Sequence, residues 1–264
     1  MIPKIIHYCW FGGNPLPETA LKCIASWRKY CPDYEIKEWN ETNYDVRKIP
    51  YIAQAYDTKK YAFVSDYARF DILYEYGGIY FDVDVEVIKP IDDLIEKGAF
   101  AGIESHGALN AGLGLASRRQ EPIFAEILES YSQSCFLRPN GSMDLTTVVV
   151  RVSEIFRQYG FTNKNEIQTI KDITIYPVEY FNPKNQKTGE LKITPNTYSI
   201  HHFDASWAIP LRRKYITYRR LLSNKIGYRI ADVILLPMQL VCVVQEIGLS
   251  GLIKKIFNVL SLGN

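Results

Sequence analysis

The chain has 264 residues, of which 47% are hydrophobic and 23% are charged, and its net charge is +2. This composition excludes wholesale disorder and fibrous repeats, and the length suits one α/β domain with an appendage. The five cysteines are odd in number and show no CxxC or CxxxH spacing, so the sequence indicates neither a disulfide framework nor a zinc site, and a reducing compartment fits best.

The first forty residues predict a strand, a helix and a second strand. Lys4 to Trp10 is a short apolar run that ends at a Gly-Gly-Asn-Pro turn signal. Pro17 to Tyr30 has apolar residues at helical spacing, and Tyr34 to Trp39 alternates as a strand does. Strand, helix and strand at this spacing predict the opening of a parallel α/β sheet.

The next pair of elements places two aspartates beside a strand end. Tyr61 to Tyr76 predicts a helix that ends at Gly77-Gly78, and Ile79 to Ile88 predicts a strand that Pro90 terminates. Asp82 and Asp84 should therefore lie near the carboxyl end of a strand, where open α/β sheets bind their ligands.

The remaining pattern predicts further strands and helices in alternation. Strands are predicted at Ala99–Glu104, Leu109–Ala116, Asp172–Pro177 and Tyr198–Phe203, and helices at Pro122–Cys135 and Thr146–Tyr159. The predicted fold class is α/β, with a mixed sheet covered by helices.

Asp82 and Asp84 are the chemical focus of the sequence. Alternate residues of one strand point to the same face unless the strand bends, and two adjacent carboxylates attract a hard divalent cation. One helix earlier, Asp66 and Arg69 are three residues apart and share a helix face. A carboxylate and a guanidinium in that place suit sugar hydroxyls and a diphosphate.

The stretch from Val64 to Val85, Val-Ser-Asp-Tyr-Ala-Arg-Phe-Asp-Ile-Leu-Tyr-Glu-Tyr-Gly-Gly-Ile-Tyr-Phe-Asp-Val-Asp-Val, resembles a known signature. It is similar to that of the DXD sugar-binding glycosyltransferases, which include capsular polysaccharide transferases, fungal alpha-1,6-mannosyltransferases and the glucosylating domains of clostridial toxins. The resemblance implies a GT-A-type nucleotide-sugar-binding fold, a mostly parallel mixed sheet flanked by helices, and retention of the anomeric configuration.

Two further blocks extend the resemblance over residues 1 to 207. Ile2 to Gly13 resembles the family's opening strand, which implies that Trp10 packs on the nucleotide base. His201 to Trp207 resembles the closing block, which implies that a histidine completes the metal site while Ser206 and Trp207 reach the diphosphate.

The resemblance also implies roles for single residues within these blocks. Ser65, Asp66 and Arg69 would contact the donor's ribose, sugar and phosphate, with Tyr80 beside the aspartates and Asn110 facing the sugar. The catalytic set is therefore Asp66, Arg69, Asp82 and Asp84.

The metal is expected to be a divalent cation, Mn²⁺ first and Mg²⁺ second, held by Asp82 and Asp84 with a histidine. Neutral imidazole suits manganese, and His202 is the first choice for the third ligand, with His201 as the alternative. The segment from Gly141 to Thr146 departs from the family's usual Gly-Pro turn, so the acceptor-side residues stay open.

The C-terminal part predicts a basic helical tail. Residues 208–264 carry nine Lys or Arg against two acids, a charge of +7, so residues 1–207 sum to −5. Basic and apolar residues interleave from Leu211 to Ile230, and the apolar stretch from Ile230 to Val244 is too short to span a bilayer comfortably. The expected domains are a catalytic body, 1–207, and an amphipathic tail, 208–264, that binds an anionic membrane through residues 211–244.

The sequence thus predicts a hexosyltransferase that uses a UDP- or GDP-sugar and a glycan or lipid-linked acceptor in bacterial surface polysaccharide synthesis. Its expected location is cytoplasmic, on the inner face of the cell membrane, because no secretion signal is present, and no nucleic-acid partner is expected. The alternatives are a phosphatase of the haloacid dehalogenase type, because residues 79–85 resemble its nucleophile strand, and a non-catalytic nucleotide-sugar-binding module.

Overall fold

The computed structural model describes residues 1–206 and 208–261. Two compact units divide the chain, one of residues 1–184 and 191–203, the other of residues 185–190 and those from 204 onward. The expectation for Trp207 lies outside the described residues.

Among the described residues, the first unit contains nine strands. They are β1 (Ile5–Cys9), β2 (Glu35–Trp39), β3 (Gly78–Tyr80), β4 (Val85–Val87), β5 (Phe100–Ile103), β6 (Leu109–Ser117), β7 (Gln168–Ile170), β8 (Ile173–Tyr176) and β9 (Ser199–His201). Its helices are α1 (Glu18–Tyr30), α2 (Pro50–Asp57), α3 (Tyr61–Tyr76), α4 (Asp92–Lys97), α5 (Pro122–Ser132), α6 (Val148–Arg157) and α7 (Val178–Phe181).

Seven of these strands form one mixed sheet in the order β2-β1-β3-β6-β5-β8-β7, and β4 pairs with β9 in a separate two-stranded sheet. The pairings of β1 with β2 and β3, and of β5 with β8, are parallel, whereas β6 and β7 run antiparallel to their neighbours. Five strands therefore point the same way. The predicted mixed, mostly parallel sheet flanked by helices is confirmed.

Helices cover both faces of the large sheet because its strands are apolar on both sides. Tyr80 packs into a core with residues of α2, α3, α5 and α6, while its neighbours Ile79 and Phe81 pack into the opposite core with residues of α1, α4 and α7. This strict alternation identifies β3 as a fully buried central strand.

One predicted element is wrong in a way that matters for the site. The single strand expected from Ile79 to Ile88 is two short strands, β3 and β4, in different sheets. Asp82 and Asp84 lie in the turn between them, where the Val85 amide donates to the Asp82 carbonyl oxygen over 3.1 Å. The chain thus leaves the large sheet at the carboxyl end of β3.

The second unit is helical, with α8 (Pro210–Ile226), α9 (Tyr228–Ile234) and α10 (Leu236–Ser261), and α10 is kinked at Gly248. Ion pairs join its helices, Arg212 with Glu246 and Arg219 with Asp232. Among the described helices, none alone has the length and apolar composition for crossing a bilayer. One bent pair, Tyr228–Ile234 with Leu236–Glu246 at 64°, satisfies those two criteria jointly.

Candidate active site

The site lies where β3 ends, and α3 supplies its first pair of side chains. Asp66 and Arg69 occupy one face of α3, as their spacing predicts, and Arg69 lies 3.0 Å from Asp66 and 3.4 Å from Asp82. The Arg69 Nε also donates to the Ser65 carbonyl oxygen over 3.1 Å. The guanidinium therefore links the helix to the turn that carries the two aspartates.

Tyr80 completes this linkage from the sheet. Its hydroxyl donates to Asp82 Oδ1 over 3.1 Å, and the Arg69 guanidinium lies 4.8 Å from the centre of its ring. Burial opposes the charge on Arg69, but Asp82 and Asp66 outweigh it and raise the Arg69 pKa above its ordinary value. Arg69 is thus a permanent buried cation beside Asp82.

Three candidate metal ligands converge beside this pair. Ligand atoms of Asp82, Asp84 and His201 all lie within 4.8 Å of one another, and His201 Nε2 is 3.2 Å from Asp84 Oδ1. The Nδ1 atom of His201 is buried and has no hydrogen-bond partner among the described residues. Burial lowers the His201 pKa, but Asp84 and Asp82 outweigh that effect and raise it.

The structure brings His201, and not the preferred His202, to the aspartates. His202 Nε2 instead lies 2.8 Å from Glu86 Oε2. Glu86 and His202 lie on the same side of the β4–β9 pair, as the pleat requires, since Val85 stands opposite His201. The turn takes Asp84 out of that alternation, so its carboxylate meets His201. His201 therefore replaces His202 as the first choice for the third metal ligand.

The other predicted site residues lie in varied surroundings. Trp10 follows β1 and is half-buried, with its indole Nε1 donating to the Asn14 carbonyl oxygen. Ser65 is half-buried, and its hydroxyl donates to the Tyr61 carbonyl oxygen over 3.2 Å. Ser206 belongs to the second compact unit.

Asn110 is buried on β6 and reaches the aspartate turn through its neighbours. Its Oδ1 accepts the Gly112 amide over 2.8 Å, and the Gly112 carbonyl oxygen accepts the Asp82 amide over 3.0 Å. Its Nδ2 donates to Glu104 Oε2 over 3.2 Å. Asn110 thus helps to fix the backbone of Asp82.

Sequence reasoning missed two members of this neighbourhood, Gly112 and Glu104. A side chain at Gly112 would collide with the Asp82 carboxylate, so the glycine allows that close approach. Glu104 follows β5, and its charge contributes to raising the His201 pKa. The two glycines within the apolar β6 run, Gly112 and Gly114, are the signal that the sequence offered for a close backbone approach.

Asp66 carries a pH-dependent cost to stability. Burial, opposed by Arg69, raises its pKa from 3.8 to about 6. A raised carboxyl pKa means that the folded chain binds the proton more tightly, so this contribution to stability is present below pH 4 and is lost as pH rises through about 6.

Without metal or donor, Asp66→Asn should therefore gain stability relative to the parent as pH rises from 4 to 7, by on the order of 2–3 kcal/mol. Urea unfolding of both proteins at several pH values measures this difference. A difference that is constant from pH 4 to 7 would contradict the assignment of Asp66 as the titrating group.

Part of the first unit matches a known family of proteins. Residues 17–101 match the sequence profile of the family described as "Glycosyltransferase sugar-binding region containing DXD motif". This span contains Asp66, Arg69, Asp82 and Asp84.

Residues 17–101 are similar to the DXD-type sugar-binding region of glycosyltransferases.

The chain is also similar to inositol phosphoceramide mannosyltransferase 3 of Schizosaccharomyces pombe, which is 31% identical over 140 residues, or 51% of this chain and 38% of that protein. An uncharacterized glycosyltransferase of Acanthamoeba polyphaga mimivirus is 28% identical over 232 residues, or 80% of this chain and 86% of that protein. The predicted family resemblance is confirmed.

Among solved structures, the PaToxG glycosyltransferase is 20% identical with a TM-score of 0.46, over 60% of this chain and 69% of that chain. The chain spans well under half the length of the fungal mannosyltransferase named above.

Proposed function

We propose that this chain is a retaining, metal-dependent hexosyltransferase that moves a sugar from a UDP- or GDP-sugar to a glycan or glycolipid acceptor. One observation carries the proposal: the ligand atoms of Asp82, Asp84 and His201 lie within 4.8 Å of one another, beside the buried Arg69–Asp66 pair. This cluster of side chains lies at the carboxyl end of the central strand β3, where α/β sheets bind ligands.

The residues present fit a divalent cation. Two carboxylates and one imidazole are a donor set that suits Mn²⁺, with Mg²⁺ as the second choice. A cation bound there would supply positive charge to the diphosphate that leaves the donor. Asp82, Asp84 and His201 would hold it, and its presence would relieve the repulsion between the two carboxylates.

The donor would be bound by side chains around this set. Arg69 offers a permanent charge for a phosphate, and Asp66 offers a carboxylate that accepts hydrogen bonds from sugar hydroxyls. The half-buried Trp10 would stack on the base, and Ser65 would contact the ribose. From the sequence resemblance alone, we also propose that Ser206 and Trp207 contact the diphosphate.

The proposed reaction occurs on one face of the sugar. The bond from the anomeric carbon to the diphosphate breaks, the acceptor oxygen bonds to that carbon from the same side, and the acceptor proton passes to the leaving diphosphate. Arg69 stabilises the charge that develops on the leaving group. No nucleophile pair for a double displacement could be assigned from the sequence, which favours this front-face course.

A direct test follows turnover and stereochemistry together. The chain is incubated with UDP-glucose, UDP-galactose or GDP-mannose and Mn²⁺, and release of the free nucleotide is measured alongside the proton NMR spectrum of the sugar product. Release with a retained anomeric configuration supports the proposal. Binding of a nucleotide-sugar without any release would instead support the non-catalytic module, and metal-dependent hydrolysis of simple phosphate esters would support the phosphatase.

The names of the relatives favour one donor sugar and one acceptor class. Several fungal relatives are named as mannosyltransferases that act on inositol phosphoceramide. Mannose is therefore the first sugar to test, with a lipid-linked acceptor. A role in bacterial surface polysaccharide synthesis remains part of the proposal.

We also propose that the second unit attaches to the inner face of the cell membrane. The basic residues Arg213, Lys214 and Lys225 of α8 are exposed, and the same helix exposes the apolar side chains of Tyr218 and Leu221 at 49% and 55%. Further exposed apolar residues follow on α9 and the start of α10, with Val233 at 73%. A basic and apolar helical surface of this kind suits an anionic lipid interface.

Reversing three exposed charges of α8, with Arg213→Glu, Lys214→Glu and Lys225→Glu together, is expected to abolish flotation of the full chain with phosphatidylserine vesicles. Each basic residue near such a surface contributes about 1 kcal/mol, so the triple change should weaken binding by at least ~10²-fold.

The matched control makes the same charge change on the first unit, with Lys29→Glu, Lys97→Glu and Lys164→Glu. This control should float as the parent does. Equal loss in both triple variants would point to net charge alone, and equal flotation of all three proteins would refute the assignment of α8.

A further inference from the structure

Glu104 and Asn110 lie at the same edge of the large sheet as Asp82. Glu104 follows β5, and Asn110 is the second residue of β6, which runs antiparallel to both β5 and β3. The carboxyl ends of β3 and β5 and the amino end of β6 therefore share one edge. A short loop joins β5 to β6, and in it the Glu104 amide donates to the Ala108 carbonyl oxygen over 2.9 Å.

The pairing of β5 with β6 is irregular close to this edge. Ala101 pairs with Leu115, whereas the residue after it pairs with Asn110. The intervening part of β6 contains Gly112, whose carbonyl oxygen accepts the Asp82 amide over 3.0 Å. Irregular pairing often re-aims side chains next to ligand sites. Here it brings Asn110 beside the aspartate turn.

Asn110 and Asp82 border the same small space above Gly112. A Cβ atom on Gly112 would collide with Asp82 Oδ2 and would lie 3.3 Å from Asn110 Oδ1. A sugar whose diphosphate meets a cation at Asp82 would adjoin this space. Asn110 is thus placed to contact that sugar.

The Asn110 amide is held in one orientation from both of its ends. Its Oδ1 accepts the Gly112 amide over 2.8 Å, and its Nδ2 donates to Glu104 Oε2 over 3.2 Å. The backbone N–H requires the oxygen end and the carboxylate requires the nitrogen end, so a 180° rotation of the amide would break both bonds. The second hydrogen of Nδ2 has no partner among the described residues and can donate to a ligand.

We propose that Glu104 is a positioning residue that fixes the Asn110 amide, so that its remaining N–H donates to a hydroxyl group of the donor sugar. This inference rests on the proposed function, which places a nucleotide-sugar at Asp82. Neither Glu104 nor Asn110 is assigned a contact with the nucleotide. Loss of Glu104 should therefore weaken binding of the nucleotide-sugar and spare binding of the nucleotide alone, whereas a purely structural role would weaken both or neither.

Glu104→Leu and Glu104→Gln separate positioning from charge. Leucine removes the acceptor for Asn110 Nδ2, whereas glutamine keeps an acceptor oxygen and removes only the charge. Glu104→Leu should weaken binding of the nucleotide-sugar about 10-fold, the loss expected for one hydrogen bond, and Glu104→Gln should stay within about 3-fold of the parent. Glu154→Leu is the matched control, since Glu154 is exposed on α6.

Asn110→Asp tests whether Glu104 acts through Asn110. Aspartate keeps an oxygen for the Gly112 amide but has no N–H for the sugar. This variant should also lose about 10-fold in binding of the nucleotide-sugar. Adding Glu104→Leu to it should cause no further loss, because the group that Glu104 positions is already gone, whereas the losses from independent roles would add.

Calorimetric titration with Mn²⁺ and UDP-glucose, UDP-galactose or GDP-mannose is compared with titration of UDP or GDP, and thermal unfolding confirms that each variant is folded. Binding of the nucleotide should stay within about 2-fold of the parent in every variant. Parental affinity of Glu104→Leu for the sugar donors, equal weakening by Glu104→Leu and Glu104→Gln, or additive losses in the double variant would overturn the inference and leave the donor site in place. Failure of the parent to bind any nucleotide with Mn²⁺ would refute the proposed function, and the inference with it.

Discussion

Asp84→Asn is expected to lower glycosyl transfer by about 10³-fold while the chain stays folded. The neutral amide cannot balance a divalent cation, so the charge that faces the leaving diphosphate is lost. Folding should be preserved, because the change removes one of two carboxylates that lie close together, and the amide oxygen can still accept a hydrogen bond from His201. Nucleotide release at saturating Mn²⁺ and thermal unfolding of the same samples measure the two effects.

Glu86→Gln is the matched control for this change. Glu86 lies two residues farther along, its side chain is 41% exposed, and it pairs with His202 rather than with the aspartates. We expect its activity to stay within about 3-fold of the parent, since exposed ion pairs contribute little. Near-normal turnover by a folded Asp84→Asn protein would refute the metal assignment.

His201→Ala is expected to raise the Mn²⁺ concentration required for half-maximal activity by about 10²-fold, whereas His202→Ala should change it by less than about 3-fold. The two residues are adjacent and the chemical change is identical, so each variant serves as the control for the other. The difference arises because a ring nitrogen of His201 lies within 4.8 Å of carboxylate oxygens of Asp82 and Asp84. The His202 ring instead contacts Glu86.

Activity measured against Mn²⁺ concentration separates the two variants, because a lost ligand shifts the midpoint and excess metal partly restores the rate. A large shift for His202→Ala with none for His201→Ala would restore the order that the sequence first suggested. Equal and small shifts would exclude both histidines as ligands.

The sequence predicted most of the secondary structure of the first unit because its signals are local. The α3 helix ends at Tyr76 with Gly77 at φ +65°, as the Gly-Gly pair indicates. The run from Ile79 to Ile88 misled because Val83, Val85 and Val87 alternate through it and it contains neither Gly nor Pro. Its division into β3 and β4 depends on β9 as a partner for β4, which is a contact far away in the sequence.

The candidate site was predictable to the extent that its residues share an element. Asp66 and Arg69 were expected on one helix face and do lie there, in contact at 3.0 Å. The choice between His201 and His202 was not predictable, because it depends on the register of β9 against β4 and on the turn at Asp84.

The central claim is that a nucleotide-sugar binds at the aspartate pair together with a divalent cation. Thermal unfolding of the parent and of Asp84→Asn, with UDP- and GDP-sugars in the presence and absence of Mn²⁺, tests it most directly. The account predicts that one nucleotide class raises the melting temperature of the parent only with Mn²⁺, and that Asp84→Asn loses this rise. Absence of a rise with every donor, or an equal rise in the variant, would contradict it.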